Sequence, residues 1–231
     1  MTPPAAKRRL LPLLQAIQSA WGKLVFLRHR RRLEALTPSR PAADRRYLDV
    51  QLRRTLAKRN VPLQPRTRLL VDRLADLVDL SRCVVLCVGC RNPAELDYFH
   101  AHGAQSVTGI DLYSDHPDIL VMDMHHLTFA NDRFDVIYSS HSLEHALDPA
   151  RAIREMLRVA RPNAVLAIEV PVGFEPRGAD LVDFHDLDTL LAAFRPQLSE
   201  LLWSEQHRPG PESAADRRGF VRAIFRIEKS G

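Results

Sequence analysis

Several side chains able to do chemistry stand at the ends of short apolar runs. Asp111 closes Thr108-Gly-Ile-Asp111, Asp123 follows Ile119-Leu-Val-Met122, and Ser140 and His141 follow Phe134-Asp-Val-Ile-Tyr-Ser139. A carboxylate at a strand end can accept hydrogen bonds from ribose hydroxyls. A histidine titrates near neutrality and can move a proton. Upstream, Val84-Val-Leu-Cys-Val88 runs into Gly89, and a glycine between strand and helix lets backbone approach a ligand closely. Asp111 lies 22 residues beyond Gly89, the separation at which an acid commonly accepts from ribose hydroxyls. Cys87-x-x-Cys90 has the spacing of half a zinc site or a redox pair, but no second such pair follows, so neither is expected. His125, His126, His141 and His145 are not expected to bind a metal.

These residues need a scaffold, and the hydropathy pattern describes one. From Cys83 onward short apolar runs alternate with helical stretches. Strands are expected over 83–89, 106–111, 119–123, 134–139 and 164–170, with helices over 93–102, 149–159 and 181–194. Two further strands, 198–206 and 220–227, are joined by a Gly/Pro-rich loop and are expected to be antiparallel. Alternation of this kind specifies an α/β fold with a doubly wound, mostly parallel, seven-stranded sheet and an antiparallel last strand. Nearly continuous apolar strands fit a sheet covered on both faces. There is no G-x-G-x-x-G and no Tyr-x-x-x-Lys pair after the fourth strand, which removes support for a nicotinamide-dependent dehydrogenase.

The ordered set Val88-Gly-Cys90, Gly109-Ile-Asp111, Asp123-Met-His-His-Leu-Thr-Phe129, Phe134-Asp-Val-Ile137, Ser139-Ser-His-Ser-Leu-Glu-His145 and Glu155-Met-Leu-Arg-Val-Ala-Arg-Pro162 resembles the class I S-adenosylmethionine-dependent methyltransferases, in particular their type 11 branch. The resemblance covers residues 83–171 closely. It implies a Rossmann-like fold that binds S-adenosylmethionine and releases S-adenosylhomocysteine. Gly89, with Cys90 and Arg91, would pass beneath the methionine part of the cofactor. Asp111 would hold the ribose and Leu112 would pack on the adenine. Asp123 would accept from the adenine amino group beside the Met124 amide, and Ser140 and His141 would sit near the sulfonium. His141 is the leading candidate base, ahead of His126, His185 and Glu169, and His145 is expected to face the following helix. Two positions depart from the family, which usually has an acid at Cys87 and glycine at Arg91; Arg91 could instead reach the cofactor carboxylate.

The amino-terminal region differs in character. Residues 1–70 hold 17 Lys/Arg against 3 Asp/Glu, whereas residues 71–231 hold 16 against 25. Leu10, Leu13, Leu14, Ile17, Trp21, Leu24 and Val25 recur at helical spacing, so residues 5–36 read as an amphipathic helix, with a second over 43–58 and a third over 67–80. The chain is thus divided into a basic helical segment, 1–66, and a methyltransferase domain, 67–231. The segment could be a lid, a contact for a membrane surface or, less favoured because it has few aromatics, a nucleic-acid arm; its apolar stripe could also form a homodimer. The apolar stretch 10–27 contains Pro12, Gln15, Gln18, Ser19 and Lys23, which argues against a membrane span. With three clustered cysteines and no disulfide pattern, a cytoplasmic setting, at most peripheral to a membrane, is expected. The acceptor is expected to be a small molecule such as a sugar, lipid-linked or natural-product intermediate; the rival readings are a non-catalytic scaffold and an RNA methyltransferase.

Overall fold

The computed structural model describes residues 22–35, 42–58, 60–195, 197–208 and 219–229. The first half of the expected amino-terminal helix lies outside these residues; 22–35 is helical (α1). α2 (Ala42–Lys58) and α3 (Pro65–Leu77) precede β1 (Val84–Val88), α4 (Ala94–Ala101), β2 (Ser106–Asp111), β3 (Ile119–Val121), β4 (Phe134–Ser140), α5 (Pro149–Val159), β5 (Ala160–Val172), α6 (Leu187–Ala192), β6 (Leu198–His207) and β7 (Gly219–Ile227). The seven strands form one sheet in the order β3-β2-β1-β4-β5-β7-β6. β1 to β5 pair in parallel, and β7 runs antiparallel to both β5 and β6.

Alternation along the strands divides the core in two. In β1, Leu86 and Val88 join one cluster with Ile153 and Met156 of α5 and Leu190 of α6. Val85 and Cys87 join the opposite cluster with Leu70 and Leu74 of α3 and Leu96 and Phe99 of α4. The period of two in a strand thus serves both faces of a covered parallel sheet. α5 shows how sequence fixes an element's start. Asp148 caps it by accepting from the Arg151 amide, and Pro149 occupies the first turn, where a missing N–H costs nothing.

Two elements differ from expectation. The helix expected over 181–194 is confined to Leu187–Ala192. Asp183 instead folds the preceding loop, accepting from the Gly173, Phe174 and His185 amides, and Asp186 accepts from the Thr189 amide to start α6. Such local side-chain acceptors compete with helix and fix a cap or turn. β5 begins earlier than expected because Ala160 pairs with Phe134 directly after α5; the register then shifts, and Val165 pairs with Val136. The Arg161-Pro-Asn stretch is the irregularity between these pairings, with Asn163 at φ 65°.

Candidate active site

The strand order reverses between β1 and β4, and ligands in open α/β sheets bind at such a switch point, beyond the strands' carboxyl ends. A cleft of about 470 Å³ lies there, lined by Gly89, Arg91, Asp111, Leu112, Asp123, Met124, Ser142 and His141 among others. Gly89 has φ 82°, and a Cβ added to it would lie 1.9 Å from the Ser142 hydroxyl. Backbone geometry and close approach therefore both demand glycine.

Asp111 is buried at the cleft floor, its Oδ1 accepting from the Leu112 amide at 2.7 Å and the Tyr113 amide at 3.4 Å. Burial pushes its carboxyl up to about 6, although Arg91's charge and donors that include Thr55 oppose the rise. Asp123 accepts from the His125 amide at 3.0 Å and from His125 Nδ1 at 2.7 Å. The Asp148 amide donates to His125 Nε2, so the proton of that ring sits on Nδ1.

His141 sits just past β4 at φ 51°, a left-handed conformation uncommon for a side-chain-bearing residue. Its amide donates to the Glu169 carbonyl at 2.9 Å. Its Nε2 lies 2.8 Å from a Glu169 carboxylate oxygen, and its Nδ1 lies 3.6 Å from Glu144. Glu169 on β5 is fully buried and also receives the Arg222 guanidinium from β7, which in turn reaches Glu205 on β6 at 2.8 Å. Burial alone would raise the Glu169 carboxyl, but hydrogen bonds and charge from His141 and Arg222 outweigh it and hold the group below its ordinary range. A chain of charges thus runs across three strands to the ring of His141.

α2 closes the cleft from above. Tyr47, Gln51 and Thr55, one helical turn apart, line it. Gln51 donates to the Ala179 carbonyl at 2.7 Å, the Tyr47 ring meets His125 edge-on at 5.5 Å, and Arg54 pairs with Asp180. His145 lies 3.2 Å from the same Asp180. Glu144, His145 and Asp180 bring one ligand atom each within 4.8 Å of one another, and the Arg54 guanidinium supplies the positive charge at that cluster. α1 supports α2 through Phe26 and Leu33, which pack with Leu52, Tyr113 and Val121.

Of the residues singled out in the sequence, Gly89, Arg91, Asp111, Leu112, Asp123, Met124 and His141 converge on this cleft. Cys90 does not line it. The turn at Gly89 sends its side chain into the core with Cys87 and Leu96, where its Sγ lies 3.3 Å from the Asn92 carbonyl. Burial raises both the Cys87 and Cys90 thiols well above their ordinary range, so neither is a ready nucleophile. Ser140 lines an adjoining hollow instead of the cleft. His126 and His185 are exposed and line neither cavity. His145, expected to face the following helix, lines the cleft. Sequence reasoning missed Tyr47, Gln51 and Thr55. Their spacing of four was legible, but two of the three are polar, so the apolar period did not mark their face.

Residues 86–168 match the family model described as a methyltransferase domain. No curated protein matches the chain in sequence. Among solved structures, the chain is similar to 1,6-didemethyltoxoflavin-N1-methyltransferase from Burkholderia thailandensis, crystallised with bound 1,6-didemethyltoxoflavin and S-adenosylhomocysteine (TM-score 0.55, 19% identity, 71% of this chain and 78% of that one). It is also similar to an S-adenosylmethionine-dependent methyltransferase from Mesorhizobium loti (TM-score 0.54, 21% identity, 70% and 96%). A third likeness is to the [4+2]-cyclase SpnF (TM-score 0.54, 21% identity, 69% and 81%). At these identities the likenesses establish the fold.

Proposed function

Residues 86–168 matching the model of a methyltransferase domain, we propose that this chain is a class I, S-adenosylmethionine-dependent enzyme that methylates a small-molecule acceptor from the cleft beneath α2, with His141 as the base. The observation that carries the reading is the convergence of Gly89, Asp111, Asp123 and His141 on one cleft at the switch point of the sheet. These residues fit the cofactor. Asp111 offers a buried acceptor for ribose hydroxyls, Asp123 accepts from the adenine amine, Leu112 and Met124 offer apolar cover, and Gly89 leaves backbone open. When bound, S-adenosylmethionine supplies a methyl group on a positively charged sulfur.

The protein's own part is positioning and proton handling. His141 Nε2 lies 2.8 Å from Glu169, and we assign its other ring nitrogen, Nδ1, as the atom that accepts a proton. An acceptor hydroxyl or amine seated by the cleft would lose its proton to Nδ1 as the new bond forms. Alignment accounts for most of the rate in such a reaction, and a base adds about 10²–10⁴-fold. α2 roofs the cleft with Tyr47, Gln51 and Thr55, which supports a lid role for the segment before residue 67. A titration with S-adenosylhomocysteine, together with release of that product from S-adenosylmethionine in the presence of an acceptor library, tests the reading. Absence of both binding and turnover would overturn it. Binding without turnover would favour a non-catalytic relative, the reading that Arg91 at a usual glycine position supports.

Among the described residues no helix is long and apolar enough to cross a membrane. α1 does expose Leu24 and Leu27, 64% and 46% accessible, beside exposed Arg28 and Arg31. That face supports docking of the basic segment on an anionic membrane surface. Co-sedimentation with phosphatidylserine vesicles, and its loss with neutral vesicles, would bear this out.

A further inference from the structure

Glu144 and His145 follow β4, and Asp180 lies in the loop between β5 and α6. Their side chains offer one ligand atom each within 4.8 Å of one another. That spacing suits a single ion: oxygen and imidazole ligands stand about 2.0–2.6 Å from a divalent metal, so two on opposite sides are ~4–5 Å apart. His145 Nε2 is 3.6 Å from Glu144 Oε1, and its Nδ1 is 3.2 Å from Asp180 Oδ1, so the imidazole lies between the two carboxylates. Asp180 stands 35 residues beyond His145. No sequence spacing marks such a set, which is why the histidines were not expected to bind a metal. Arg54 of α2 bonds Asp180 and lies 3.4 Å from His145 Nδ1. Glu144 is the member left over. It is 1% exposed, and its Oε2 is buried without a hydrogen-bond partner. Two carboxylates against one guanidinium leave negative charge out of water, and such charge is costly until a cation or donor meets it.

We propose that Glu144, His145 and Asp180 form a site for one divalent transition-metal ion, and that this ion and Arg54 compete for Asp180. One imidazole with two carboxylates suits Mn²⁺ or Zn²⁺ better than Mg²⁺ or Ca²⁺, which take oxygen ligands. The Glu144 oxygen that no protein donor reaches becomes a ligand. Asp180 cannot bond the guanidinium and the ion at full strength together, because the two cations repel each other at that distance. Binding of the ion therefore turns Arg54 away. α2 is then held to this loop by Gln51 on the Ala179 carbonyl, with its charged tie gone. His145 also lines the cleft, so the ion stands at the cleft wall and regulates how firmly the roof is fastened. The site is complete without any ligand in the cleft.

Mn²⁺ alone is the probe. Titrated into the full chain and followed by loss of the free ion's electron paramagnetic resonance signal, it should fill one saturable site. Glu144→Gln and Asp180→Asn should each weaken binding at least about 10-fold, since removing even an outer partner of a metal ligand costs that much. Arg54→Met should tighten it about 10-fold, because a competitor worth one charged hydrogen bond is gone. Mn²⁺ should also speed amide hydrogen exchange over residues 42–58 in the unaltered protein and leave it unchanged in Arg54→Met. Thermal unfolding shows which variants are folded, and the Arg54→Met titration carries the test if neither carboxylate variant folds. Absence of saturable binding would overturn the proposal. So would binding that Glu144→Gln and Asp180→Asn leave intact, which marks an adventitious ion on other histidines. An Arg54→Met protein that binds Mn²⁺ no more tightly, or exchange over residues 42–58 that Mn²⁺ does not speed, would overturn the competition with the roof.

Discussion

Replacing Asp111 by asparagine should stabilise the ligand-free protein while it weakens the cofactor. Burial lifts this carboxyl from an ordinary 3.8 to about 6, more than Arg91, the Leu112 and Tyr113 amides and the Thr55 hydroxyl can offset. A carboxyl that holds its proton more tightly in the folded state favours folding fully below the unfolded value. That contribution is lost as pH rises through the folded value. At 1.36 kcal/mol for each tenfold change in proton affinity, the loss is about 3 kcal/mol above pH 7. Asp111→Asn is nearly isosteric and keeps an acceptor for the two amides, so it should recover up to about 3 kcal/mol at pH 7.5 and almost nothing near pH 4. Urea unfolding at the two pH values measures this. The same variant should bind S-adenosylhomocysteine about 10- to 100-fold more weakly, because ribose hydroxyls lose a charged acceptor. Such opposition between stability and binding is expected of a preorganised site. A ligand-free Asp111→Asn protein that is less stable at pH 7.5, or a gain that is the same at both pH values, would refute the reasoning.

Three other outcomes follow from the geometry. Gly89→Ala places a Cβ 2.5 Å from the Ser142 Cβ at a backbone φ of 82°; it should cost about 1–3 kcal/mol of stability and abolish measurable S-adenosylhomocysteine binding in a titration. Arg54→Ala leaves Asp180 and His145 without their guanidinium, at a cost of about 1.5–3 kcal/mol for a charged hydrogen bond, and should speed amide hydrogen exchange over residues 42–58 while residues 84–88 keep their protection. Glu169→Gln should cost about 1.5–3 kcal/mol at neutral pH, since the buried Arg222 loses one charged partner and keeps only Glu205. Because the Glu169 carboxyl is held below its ordinary range, its stabilising contribution is present above that range and fades as pH falls. Unfolding followed from pH 7 to pH 3 should therefore show a flatter acid limb in the variant.

The fold was legible because its signals are local. Continuous apolar runs bounded by Gly89, Gly103 and Pro149 mark strands and helices, and their order leaves few topologies. Asp111, Asp123 and His141 were legible for the same reason, each standing where an apolar run stops. Cys90 was misplaced because strand parity cannot be carried through a left-handed glycine; the turn at Gly89 reverses the side on which the next residue emerges. The loop before α6 was misjudged because Leu181, Phe184 and Leu187 recur at a spacing of three, as on one face of a helix, whereas Asp183 draws three amides to itself.

The cleft's roof and its charge pairing belong to the tertiary structure. Gln51 meets the Ala179 carbonyl across 128 residues and Arg54 meets Asp180 across 126. No periodicity within one element encodes a partner that far away. The same holds for Glu169, which sequence offers as a base and packing makes the partner of His141 and Arg222. Sequence alone determined which residues end strands, and so which could meet at the sheet's carboxyl edge. Only the packed chain decided which side chains face one another there, because burial and neighbouring charge are properties of the assembled fold.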